Sequence, residues 1–86
     1  MNPQRPKDGA EAILRIGAAI RERRKKLGMT LEDLSDLTGR AVSYLSDLER
    51  GKPTSHIGKV AAVAEAVGLR LILVDAAADP HGDGQT

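Results

Sequence analysis

Cysteine, tryptophan and phenylalanine are absent from this 86-residue sequence, and Tyr44 is its one aromatic residue. Without cysteine there is neither a disulfide framework nor a thiolate metal site. Without aromatic platforms, unpaired bases have nothing to stack on, which argues against RNA or single strands as ligands and favours duplex if the partner is nucleic acid. No apolar run approaches the roughly 20 residues of a membrane span, and the N-terminus lacks a signal-peptide core, so the expected location is the cytoplasm. The two histidines are not placed for chemistry: Ser55 and His56 are adjacent rather than convergent. A glycine-rich phosphate loop and a metal-ligand spacing are both missing. The sequence therefore reads as a non-enzyme without cofactor or metal. A chain this short forms one small domain with no room for a large cleft beside its core.

What is present is charge, unevenly placed. The formal net charge is only +1, yet "RERRKK" (21–26) sets five basic side chains around one acidic one, while Asp75, Asp79 and Asp83 make the C-terminal end acidic. A basic region is concealed by the balance.

Residues 1–9, "MNPQRPKDG", are expected to form a disordered arm until Asp8 offers a cap with Glu11 three positions on. A first helix follows to about Leu27, with Ile13, Ile16, Ile20 and Leu27 on one stripe and Gly28 as the stop. Thr30 caps a second helix whose inner arc carries Leu31, Leu34, Ser35 and Thr38, with Glu32 and Asp33 in its first turn. After Gly39 a third helix runs from about Ala41 to Arg50. Ala41, Leu45 and Leu48 share one arc, and Val42, Ser43, Ser46, Asp47 and Arg50 share another. A fourth helix over 57–67 has an apolar face of Ile57, Val60, Ala61, Val63, Ala64 and Val67 and ends at Gly68. Then "LRLILVD" alternates Leu69, Leu71 and Leu73 with Arg70, Ile72 and Val74, the pattern of a buried strand. A lone strand leaves its backbone groups unpaired, so it needs a partner. Residues 76–86, "AAADPHGDGQT", read as a flexible acidic tail, leaving 10–75 as the folded domain.

Two short helices joined at a glycine, the second apolar on one arc and polar on the other, have the pattern of a helix-turn-helix. Residues 30–51, "TLEDLSDLTGRAVSYLSDLERG", resemble without a gap the signature of the XRE family of Cro/C1-type DNA-binding regulators. Thr30, Leu34, Gly39, Ser43, Tyr44, Ser46, Glu49, Arg50 and Gly51 stand at matching positions. The likeness continues upstream through "IRERRKKLG" and downstream through "GKPT", a helix and "GLRLILVD", over about 13–75. In that longer form it resembles the HipB-like branch, antitoxin-type repressors whose C-terminal strand pairs across a dimer.

The resemblance implies an all-α, lambda-repressor-like bundle of four to five helices with a short C-terminal β-strand pairing across a homodimer. It implies an ion pair between Arg24 and Glu49 that clamps the first helix to the end of the third. It places Val42, Ser43, Ser46 and Asp47 at base edges: Val42 against thymine methyls, the serines as donor-acceptors, Asp47 accepting from a cytosine amino group. Thr30 and the start of the third helix offer backbone N–H groups to phosphates, and Arg40, Arg50, Lys52, Ser55 and His56 flank the presented helix.

Three residues depart from the family pattern. Leu31 replaces a common glutamine, Arg40 a usual apolar residue, and Ala41 the usual serine or threonine cap, weakening that helix start by roughly 1 kcal/mol. The expected function is a homodimeric repressor on an inverted-repeat operator, the antitoxin of a HipBA-like module whose toxin is a HipA-like kinase. The alternatives are a stand-alone phage-type or metabolic regulator, and a protein-binding helical adaptor without DNA affinity. Leu31, Asp47 and the modest net charge suggest the adaptor.

Overall fold

A computed structural model describes residues 9–53 and 56–78. The readings of Asp8 as a cap, of the arm over 1–8, of Ser55 as a phosphate contact and of the tail over 79–86 lie outside the described residues. Four α-helices follow in order: α1 (Ala10–Lys26), α2 (Leu31–Thr38), α3 (Val42–Glu49) and α4 (Ile57–Ala66), with a 3₁₀ turn over Ala76–Ala78.

The helix ends follow local chemistry. Thr30 caps α2 reciprocally: its hydroxyl accepts from the Asp33 N–H at 2.9 Å and its N–H donates to Asp33 Oδ2 at 2.9 Å. By contrast, Ala41 gives α3 no side-chain cap, and Gly9 gives α1 none. At the end of α4, Gly68 sits at φ 84°, left-handed backbone that a residue with a Cβ adopts only under strain. That geometry returns the Leu69 N–H to Ala64 O at 2.9 Å and the Gly68 N–H to Glu65 O at 3.0 Å, satisfying carbonyls the helix leaves open. The same pair of bonds recurs after α1 and α3, at Gly28–Met29 and Gly51–Lys52.

The core is small and aliphatic: Ile20, Leu34, Leu45, Leu48, Val60, Val63, Ala64 and Val67, with Ile16, Met29, Leu31, Tyr44, Ala66, Leu69 and Leu71 packed around it. Through it α1 packs on α3, and α2 packs on both α3 and α4. Of the residues read onto the helices' apolar faces, Ile13 and Ala61 are half-buried outside the core and three are exposed. Leu27 is 52% exposed and Ile57 63% exposed, while Ala41 is exposed. All three stand at helix ends: Leu27 follows α1 as its cap, Ala41 precedes α3 and Ile57 is the first residue of α4.

Gly17 has the reverse character. It is buried at the α1–α3 crossing, and a Cβ there would lie 2.1 Å from Leu48 O and 3.0 Å from Glu49 O. Here the backbones of two helices touch, with no side chain between them.

The strand expected over Leu69–Val74 does not form within the chain, and the described residues contain no strand. Leu69 and Leu71 are half-buried against the core, but Ile72, Leu73 and Val74 are exposed, Leu73 fully so at 101%. Pairing makes a strand, and no described segment lies alongside this one to supply it.

Candidate nucleic-acid interface

The turn between α2 and α3 is built from side-chain hydrogen bonds. Ser35 Oγ donates to Arg40 O at 2.6 Å, Thr38 Oγ1 donates to Leu34 O at 2.8 Å, and the Arg40 N–H donates to Thr38 Oγ1 at 3.2 Å. These bonds meet backbone groups that the turn would otherwise leave open. They hold Arg40, which replaces an apolar residue of the family pattern, half-buried at the turn through its main chain.

With Leu45 and Leu48 in the core, α3 turns its other arc outward. Ser43 is exposed and Val42, Ser46 and Asp47 are half-buried. The arc is polar and shallow, and its side chains are short enough to let a groove wall approach closely.

At its far end α3 is fixed by a buried ion pair. Arg24 Nε donates to Glu49 Oε2 at 2.7 Å and Nη2 to Oε1 at 2.9 Å, while Nη1 donates to Met29 O at 2.8 Å. Both residues are 8% exposed. One guanidinium thus joins α1, the α1–α2 connection and the last turn of α3. The Glu49 hydrogen bonds raise the Arg24 pKa above its ordinary value; burial opposes this, and the charge of Glu49 adds to it.

The basic run 21–26 divides by role. Arg24 is internal, and the half-buried Arg23 donates from Nε to Val67 O at 3.1 Å. Arg21, Lys25 and Lys26 are exposed. The resemblance sets Arg24 apart, but the pattern cannot separate Arg23 from the rest, because five cations within six residues carry no periodicity of their own. Arg23 and Gly17 are the two positioning residues that the pattern did not single out.

Asp47 is engaged differently from the expected base contact. Its Oδ1 accepts from Arg50 Nη2 at 2.6 Å and lies 3.6 Å from Lys52 Nζ. The Arg50 and Lys52 side chains are well exposed and that of Asp47 is 41% exposed, so the bridges contribute little stability. They do gather two cations at the end of the presented helix. Thr30, expected to offer its N–H to a phosphate, uses it in the cap. His56 is exposed at the start of α4. Beside α3, Tyr44, Asp47, Leu48, Lys52, Pro53, His56 and Lys59 line an open recess of about 340 Å³. In α3 the Tyr44 hydroxyl is buried and meets no hydrogen-bond partner among the described residues.

Among the described residues no cluster of three or more His, Asp or Glu could hold a metal ion. No described helix is long and apolar enough to cross a membrane.

Comparison with known proteins agrees with this geometry. Residues 20–73 match the family described as "Helix-turn-helix". An uncharacterized HTH-type transcriptional regulator, y4mF of Sinorhizobium fredii, is 40% identical over 56 residues, covering 65% of this chain and 74% of that protein. The transcriptional regulator ClgR of Mycobacterium tuberculosis is 33% identical over 63 residues, covering 71% of this chain and 56% of ClgR. The chain thus spans little more than half of that second relative. No solved structure matches the chain. A capped α2, a bonded turn, an α3 with one arc in the core and one outside, and this match over most of the folded segment lead to one conclusion: the chain belongs to the XRE-type helix-turn-helix family of DNA-binding transcriptional regulators.

Proposed function

We propose that this regulator acts as a homodimeric repressor on an inverted-repeat operator, assembled through residues 69–75. The observation that carries this reading is the exposed apolar run Ile72, Leu73 and Val74, which has no pairing partner among the described residues. A second copy related by a two-fold axis supplies one: the segments pair antiparallel, and Leu69, Arg70, Leu71, Ile72, Leu73 and Val74 become a two-stranded ribbon. The same axis sets two recognition helices roughly 34 Å apart, in successive major grooves.

Within each half-site Val42, Ser43 and Ser46 meet base edges, and Asp47 accepts from a cytosine amino group through the oxygen that Arg50 leaves open. Arg40, Arg50, Lys52, Ser55 and His56 meet phosphates, joined by the uncapped start of α3. Occupying a promoter in this way excludes polymerase. Action on DNA places the protein in the cytoplasm.

The resemblance to the HipB-like branch extends the proposal to an antitoxin role, with a HipA-like kinase as toxin partner. The similarity to y4mF and ClgR, both transcriptional regulators, favours the second reading, a stand-alone regulator. A kinase-like reading frame beside the gene, whose product co-purifies with this chain, decides for the antitoxin. An unrelated neighbour decides for the regulator.

Binding is tested by titrating the protein against its own promoter duplex and a scrambled one at rising salt. Affinity for both is expected to fall steeply, since each phosphate contact contributes a slope of roughly −0.9 in log–log form. Arg50→Ala and Lys52→Ala should weaken both duplexes alike, whereas Ser43→Ala should change their ratio. A folded protein that shifts no duplex at low salt would establish the adaptor instead.

Dimerisation is tested separately. Ile72→Pro removes a ladder donor, and sedimentation is expected to show monomer where the parent shows dimer. An unchanged dimer moves the interface away from 69–75.

A further inference from the structure

The last turn of α1 carries two successive arginines that grip different elements. Arg24 reaches Glu49 and so anchors α3. Arg23, 100° further round the helix, reaches Val67 O at 3.1 Å, at the end of α4. Val67 is the residue from which the chain turns, through Gly68, into 69–75. The guanidinium also packs against that turn: a Cβ on Gly68 would lie 3.2 Å from Arg23 Nη2. α1 packs chiefly on α3, and α4 chiefly on α2. The Arg23–Val67 bond therefore ties two helices that are otherwise linked mainly through their neighbours.

We propose that Arg23 is a positioning residue for two-site DNA recognition, holding the exit of the C-terminal segment in fixed orientation to the recognition helix and thereby setting the half-site spacing that the dimer accepts. The inference rests on the dimer reading above, because spacing has meaning only when two copies are joined through 69–75. Its physical basis is leverage. The segment leaves the body at Gly68, so a small rotation at that exit swings the partner's α3 through a much larger arc. Within one protomer Arg23 and Arg24 fix both ends of the lever to the same helical turn. A carbonyl at a helix C-terminus carries partial negative charge, which suits a guanidinium and makes the bond more than a chance surface contact. Arg23 is half-buried, and its Nε donates directly to that carbonyl.

The test uses the full chain and a duplex enriched from a randomised library by the parent protein, together with versions of that duplex carrying one or two base pairs inserted or removed at its centre. Each inserted pair turns one half-site by about 34–36° relative to the other. The parent is expected to prefer the original spacing by roughly tenfold or more, and Arg23→Ala to reduce that preference to about threefold or less. Arg23→Ala should bind an isolated half-site as the parent does and should sediment as a dimer. Arg23→Lys, which retains a cation able to donate to Val67 O, should recover much of the spacing preference. A purely structural role would lower the melting temperature and leave the spacing ratio alone. Melting curves confirm that both variants are folded, with Arg23→Met, which keeps the stem but has no donor for Val67 O, standing in should alanine prevent folding. An Arg23→Ala dimer with the parental ratio overturns the inference and leaves the dimer reading intact. A monomeric parent overturns both.

Discussion

Replacing Gly17 with alanine is expected to lower the melting temperature by roughly 12–24 °C, the larger of the two core effects relative to the size of the change. Two terms of opposite sign meet at this position. Alanine is favoured over glycine in a helix interior by about 1 kcal/mol. Against this, the new methyl would sit 2.1 Å from Leu48 O and 3.0 Å from Glu49 O, and both atoms are backbone. Neither can rotate away. The helices must separate instead, opening the crossing and drawing Glu49 from Arg24. Overpacking of this kind costs about 1–3 kcal/mol where side chains can adjust and more where they cannot. The clash therefore outweighs propensity, leaving a net loss near 3 kcal/mol, and each 1 kcal/mol is worth about 4–8 °C in a domain of this size. A Gly17→Ala protein that melts at or above the parent's temperature would show that α1 does not approach α3 this closely.

Arg24→Ala should cost about 3–5 kcal/mol, a large fraction of the stability of any small domain. The loss comes chiefly from what is left behind. Glu49, 8% exposed, keeps a charge with no counter-charge, and Met29 O loses its donor. Replacing both partners by apolar residues, Arg24→Met with Glu49→Leu, should restore much of the stability, because no unpaired charge is then buried. The single variant should also increase hydrogen exchange over 42–50, since α3 loses its anchor. Melting and exchange that match the parent would count against the clamp. The pH dependence follows from sign. The Arg24 pKa is raised in the fold, so its contribution is complete below the unfolded value and is lost only as pH rises through the folded one. Both lie far into the alkaline range, so neutral-pH melting should not titrate the arginine.

Much of the fold was legible because it is written locally. Thr30 with Asp33 three residues on starts α2, and Gly28, Gly51 and Gly68 end α1, α3 and α4 through bonds that span no more than five residues. The stripe of Ile16 and Ile20, and that of Leu45 and Leu48, needed only helical period to be placed inside. At Leu27, Ala41 and Ile57 the pattern misled at helix ends, where the apolar period runs on although the residue is exposed. The candidate site divides in the same way. Its polar arc on α3 follows from spacing, whereas the capture of Asp47 by Arg50 and Lys52 depends on how the chain turns after the helix.

By itself the sequence determined four helices, their order, the buried face of α3 and the family, since each rests on contacts within a few residues or on a contiguous motif. Tertiary structure alone decided that Gly17 is a contact between two backbones, that Arg23 belongs to the end of α4, and that 69–75 finds no partner among the described residues. The reason is physical: a glycine, an arginine and an apolar alternation each fit several environments, and only the packing of distant segments selects among them.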